Sequence, residues 1–139
     1  MIGGDSGGTT LLSAMITAEH VTALRHSVTA TAAAAGLTGE ELEDFVLAVN
    51  ELTTNAIRHG GGRGQLLLCR QGDWLICQVT DQGRGMTDHV PFPSLPDPTR
   101  PGHRGLWLAH HLAAELTLTS GPNGLTATVR MPLPSKEAQ

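Results

Sequence analysis

Between Phe45 and Thr80 the apolar rhythm of the chain changes period, and three successive glycines mark the change. Phe45, Ala48, Val49, Leu52 and Ala56 recur at steps of three and four, the spacing of one face of an α-helix. Gly60, Gly61 and Gly62 then end that helix, because glycine in a helix interior costs roughly 0.5–1 kcal/mol relative to alanine and three in a row compound the loss. Beyond them, Gln65–Arg70 and Trp74–Thr80 read as two strands joined through Gln71, Gly72 and Asp73. A helix feeding a hairpin predicts an α+β chain, a two-layer sandwich with mostly antiparallel strands in one layer and helices covering one face.

The flanking segments extend this pattern. Thr9–Met15 reads as an edge strand, and an Ala-rich helix from about Thr17 to Ala35 stops at Gly36, which serves as its C-cap. Thr38 offers an N-cap to the second helix, which runs to about His59. Residues 82–103 hold five of the eight prolines, which excludes a regular helix or central strand and predicts a loop or lid. Leu106–Leu112 resumes helical character, and Leu116–Ser120 with Leu125–Met131 forms a second hairpin. One domain, residues 9–134, is expected between a flexible Gly-rich start, 1–8, and a polar tail, 135–139.

Charge and composition exclude several function classes. The net charge of -4, with scattered basic residues, gives no footprint for nucleic acid or an anionic membrane. LLSAMITA is too short to span a bilayer and lacks a basic leader, so a cytoplasmic protein is expected. Cys69 and Cys77 lack metal-ligand spacing, and the adjacent His110 and His111 face different sides of a helix. The single lysine is Lys136, in the tail. A Walker loop and an ordinary protein kinase each require a lysine at the phosphates, so neither is available.

Three segments carry candidate chemistry. In NELTTNAIRHG, Glu51, Asn55 and His59 stand at i, i+4 and i+8, a polar stripe beside the apolar face with about 6 Å of helix rise between neighbours. There Glu51 can accept a proton and Asn55 can offer a neutral oxygen to Mg²⁺. In DQGRGM, Asp81 ends a strand and can accept the exocyclic amine of adenine, while Gly83 and Gly85 let backbone approach the ring. In GHRGLWLA, Gly105 and Leu106 lead into a helix, where free amides and the helix dipole favour phosphate.

These segments resemble the N, G1 and G2 boxes of the GHKL ATPases, and ELTTNAIRHG, DQGRG, PDPT and RGLWLA are most similar to the anti-sigma factor serine/threonine kinases. The resemblance implies the Bergerat fold, ATP and Mg²⁺, with Glu51 as catalytic base and Asn55 as metal ligand. It implies nucleotide contacts from Asn55, Arg58, Asp81, Gly83, Gly85, Met86, Arg104, Gly105, Leu106 and Thr126. It also implies a sigma factor and a STAS-type anti-anti-sigma protein as partners, and a homodimer. An ATP-dependent switch without kinase activity and a detached histidine-kinase-like catalytic domain are the alternatives. Two positions depart from the family pattern: Leu125 stands where many relatives carry a hydroxyl, and His103 where many carry glycine.

Overall fold

The computed structural model describes residues 8–59, 62–81, 112, 115–121 and 124–134. The chain opens with strand β1 (Thr9–Thr17), a single 3-10 turn (Ala18–His20), and helices α1 (Val21–Ala35) and α2 (Gly39–His59). Strands β2 (Arg63–Gln71) and β3 (Trp74–Asp81) follow, then β4 (Glu115–Gly121) and β5 (Gly124–Pro132). The strands form one antiparallel sheet in the order β1-β2-β3-β5-β4. This is the α+β, two-layer architecture that the periodicity change predicts, and it agrees with the fold that the family resemblance implies.

The first helix differs from the sequence expectation at its start. β1 continues through Ile16, which is fully buried, and Thr17, whose Oγ1 lies 2.8 Å from His20 Nδ1 across the 3-10 turn. The α-helix therefore begins only at Val21. Its end is as expected: Gly36 has φ +124°, and the N–H groups of Gly36 and Leu37 donate to Ala33 O at 3.0 Å and Ala32 O at 3.2 Å. Only glycine takes this conformation without strain, and the turn drives Leu37 into the core. At the start of α2, Leu42 N–H reaches Thr38 O at 3.3 Å, where an N-cap was anticipated.

Strand alternation sends Leu66 and Leu68, Leu75, Cys77 and Val79, and Ala127, Val129 and Met131 to the helix-facing side. There they meet Phe45, Ala48, Val49, Leu52 and Ala56 of α2 and Leu24, Val28 and Ala32 of α1. Each large side chain buried in this way contributes about 1.5–3 kcal/mol. The opposite sheet face carries polar pairs, including Arg130, which stacks 4.4 Å above Trp74 and donates from Nη1 to Glu115 Oε1 at 2.9 Å. Leu112, helical, joins the core; the rest of the expected 106–112 helix, the Pro-rich stretch and both chain ends lie outside the described residues. Among the described residues no helix is long and apolar enough to cross a membrane.

Cys69 and Cys77 point to opposite faces of the sheet, and both are free thiols. Burial, with the neighbouring Cys69 as a lesser cause, pushes the Cys77 thiol far above its ordinary value. A disulfide reagent at pH 8 is expected to titrate no more than one thiol per folded chain, the second appearing only in denaturant. Two thiols reacting together in native protein would contradict the placement of Cys77.

Candidate functional site

Among the described residues, α1 covers only one flank of α2. Leu24, Arg25 and Val28 of α1 meet Val46, Val49, Asn50 and Thr53 of α2. At 3.6 residues per turn, Glu51 lies about 100° round the helix from Asn50, and Asn55 about 160° from Thr53. Both therefore stand on the side turned away from α1. Because α1 lies over β1 while α2 crosses β2, β3 and β5, that flank overlooks the β5 side of the sheet.

Connectivity fixes which end of the sandwich is involved. α2 closes at His59 and the chain re-enters the sheet at Arg63, with residues 60–62 between. Gly64, one residue into β2, is the register partner of Asp81. The last turns of α2 and the end of β3 thus share one end of the molecule. Alternation within β3 also puts Asp81 on the face of Leu75, Cys77 and Val79, towards the helices. The C-terminal turns of α2 and the strand-end carboxylate therefore lie at the same end of the sandwich.

Three polar side chains are buried among the described residues: Thr53, Asn55 and Asp81, at 3%, 8% and 5% exposure. Thr53 is explained locally, because its hydroxyl donates to Asn50 O at 2.9 Å. Asp81 Oδ1 accepts the Leu125 N–H at 3.0 Å, which uses one of roughly four acceptor sites of a carboxylate. Asn55 makes no hydrogen bond within the described residues. Asn55 and Asp81 thus bring an amide and a carboxylate to the border of the apolar core. Glu51 is half-buried beside Asn55, and Arg58 is exposed in the last turn of α2, where its charge offsets the negative end of the helix dipole.

The glycines around Asp81 were missed as site residues. A Cβ at Gly64 would lie 2.6 Å from Thr80 O, and a Cβ at Gly124 would lie 2.5 Å from Asp81 Oδ1, so both positions admit the acid only because they lack side chains. In sequence each reads as turn punctuation; their role appears only once register sets them beside Asp81.

Thr126 does not join the group. It pairs with Thr80 across the β3–β5 ladder, and the two hydroxyl oxygens lie 3.2 Å apart on the sheet face opposite Asp81. Leu125, 3% exposed, takes the helix-facing position instead. A hydroxyl displaced by one residue along a strand lands on the other face. Gly83, Gly85, Met86, Arg104, Gly105 and Leu106 lie outside the described residues.

The donor set fits a hard divalent cation shared with a nucleotide. Among the described residues no cluster of three or more His, Cys, Asp or Glu side chains could hold a metal alone. Mg²⁺ requires no such cage, since it keeps waters and phosphate oxygens and takes few protein ligands. The Asn55 amide oxygen suits that role, and the Asp81 carboxylate, an acceptor, suits an amine donor. Thr126→Val is expected to leave ATP affinity within about twofold of wild type while costing up to ~1.5 kcal/mol of stability through the lost hydroxyl pair. Calorimetry and urea unfolding measure the two; a tenfold affinity loss would return Thr126 to the site.

A family model described as the histidine kinase-like ATPase domain matches residues 15–131. Among solved structures, a chain from Mycobacterium tuberculosis comprising the RsbU and RsbW domains of Rv1364c aligns with a TM-score of 0.62 at 22% identity. The alignment covers 88% of this chain and 32% of that one, so the chain spans about a third of its length and the likeness is one of fold. No curated protein sequence matches significantly. The family match runs from within β1 to within β5 and takes in α2, Asp81 and the connection between the hairpins, and on that evidence the chain belongs to the histidine kinase-like ATPase family of the GHKL superfamily.

Proposed function

We propose that this domain binds Mg-ATP between α2 and the end of β3 and transfers the γ-phosphoryl group to a serine or threonine of a STAS-type anti-anti-sigma protein. In its nucleotide-bound form it holds a sigma factor. The observation that carries the reading is the succession of half-buried Glu51 and buried Asn55, one turn apart on the flank of α2 turned away from α1, at the same end of the sandwich as Asp81. A binding module that only gripped nucleotide would need Asn55 and Asp81 but not a carboxylate one turn away. The partner class rests on the similarity of ELTTNAIRHG, DQGRG and RGLWLA to the anti-sigma factor kinases.

Asp81 accepts the adenine amine and sets the depth of the base. Asn55 is the residue that holds Mg²⁺, which when bound neutralises phosphate charge. Arg58 and Arg104 supply the cationic contacts that a chain without a site lysine still requires. Glu51 orients the acceptor hydroxyl and takes its proton as the new P–O bond forms, the bond between the γ-phosphorus and the bridging oxygen breaks, and ADP departs. Phosphoryl transfer passes through a loose transition state, so positioning and charge neutralisation outweigh the strength of the base.

The deciding experiment is incubation with labelled ATP and small candidate partner proteins. Acid-stable label on the partner supports a hydroxyl acceptor; acid-labile label points to histidine and rejects this reading. Glu51→Gln is expected to slow transfer about 10²-fold or more with ATP affinity nearly intact. An equal loss of affinity would contradict the base role. Asn55→Ala is expected to abolish the gain in ATP affinity that Mg²⁺ confers on the wild type; an unchanged gain in titrations with and without the metal would reject the ligand assignment.

A further inference from the structure

α1 buries Leu24, Val28 and Ala32 against the sheet. At 3.6 residues per turn, Arg25, which faces α2, lies about 100° one way from Leu24, while Thr31 and Ala35 lie about 60° the other way from Val28 and Ala32. Small residues occupy that second flank, and between it and β1 runs a groove of about 460 Å³ lined by Leu11, Ala30, Thr31, Ala34, Ala35 and Arg70. A bulge shapes the strand side: the register with β2 shifts between Thr10 and Leu12, so Leu11 is the extra residue and stays 37% exposed instead of filling the gap. Alternation along β2 puts Arg70 on the face of Leu66 and Leu68, towards the helices. Its Nε donates to Gly72 O at 3.1 Å, which orients the guanidinium plane. Gly64, the register partner of Asp81, stands six residues from Arg70 on the same strand, about 20 Å away, so the groove lies at the end of the sandwich opposite the nucleotide site.

We infer that this groove binds a small amphipathic carboxylate, an acid with a short hydrocarbon chain: the chain lies along the alanine flank of α1 and the carboxylate pairs with Arg70. The volume falls within the roughly 300–1,000 Å³ of small-molecule sites, which combine apolar walls with a few polar groups that fix orientation. Charge selects the sign of the ligand. Of the six described residues that line the groove Arg70 alone is charged, and a planar guanidinium fork matches a carboxylate through two parallel hydrogen bonds. The walls select the body of the ligand. From Ala30 to Ala34 the helix rises about 6 Å along a ridge of methyl groups, with the Leu11 side chain opposite and the Thr31 hydroxyl as the second polar group.

The test is titration of the full chain, followed by NMR shifts, with octanoate, 1-octanol and octylamine, which share a chain and differ in head group. Wild type is expected to bind octanoate about tenfold more tightly than octanol, with the cationic amine weakest. Arg70→Gln should bring octanoate down to the affinity of octanol. Ala34 is an exposed helix position where leucine costs little, so Ala34→Leu should fill the groove and weaken octanoate and octanol alike by about tenfold. If Arg70→Gln does not fold, Ala34→Leu and the order of head groups in wild type decide. Wild type binding none of the three, or all three equally, overturns the inference. So does octanoate affinity kept in Ala34→Leu, or a preference for octanoate over octanol kept in Arg70→Gln.

Discussion

The two-residue period of β3 is the constraint on which the site depends. It commits Leu75, Cys77 and Val79 to the helix layer and, because the strand persists to its eighth residue, delivers Asp81 to the same face. The apolar core and the polar site are thus successive positions on one strand. Packing that fixes the register of Leu66 against Val79 also fixes Gly64 against Asp81, since a slip of one residue would send the whole set to the other face.

α2 shows the same economy in a different geometry. Its buried stripe fills the core, and the residues next to that stripe are the ones with chemistry to perform. Asn55 is only 8% exposed, so burial restricts the conformations open to its amide. Preorganisation of this kind matters for a reaction whose catalysis is mainly placement and charge neutralisation.

Much of this could be read from the chain before any coordinates. Phe45 to Ala56 announced α2, the alternation in WLICQVT announced β3, and Gly36 at φ +124° closed α1 as a glycine after an Ala-rich run should. The start of α1 was illegible because Ile16 and Thr17 favour a strand while the alanines around them favour a helix, and only the burial of Ile16 decides the boundary. Thr126 was misplaced because a difference of one residue at the last turn decides which sheet face a hydroxyl meets. Gly64 and Gly124 gave no signal of their own, since what they accommodate lies 17 and 43 positions away in sequence.

The hydrogen bond from Leu125 to Asp81 spans 44 positions of sequence, most of them in the connection between the two hairpins. The entropy of closing such a loop grows only with the logarithm of its length, about 0.6 kcal/mol for each doubling. Changing the length of that connection therefore changes this closure cost little. A change in the number of residues between the hairpins is therefore cheaper, in closure entropy, than any change that disturbs the register holding the acid.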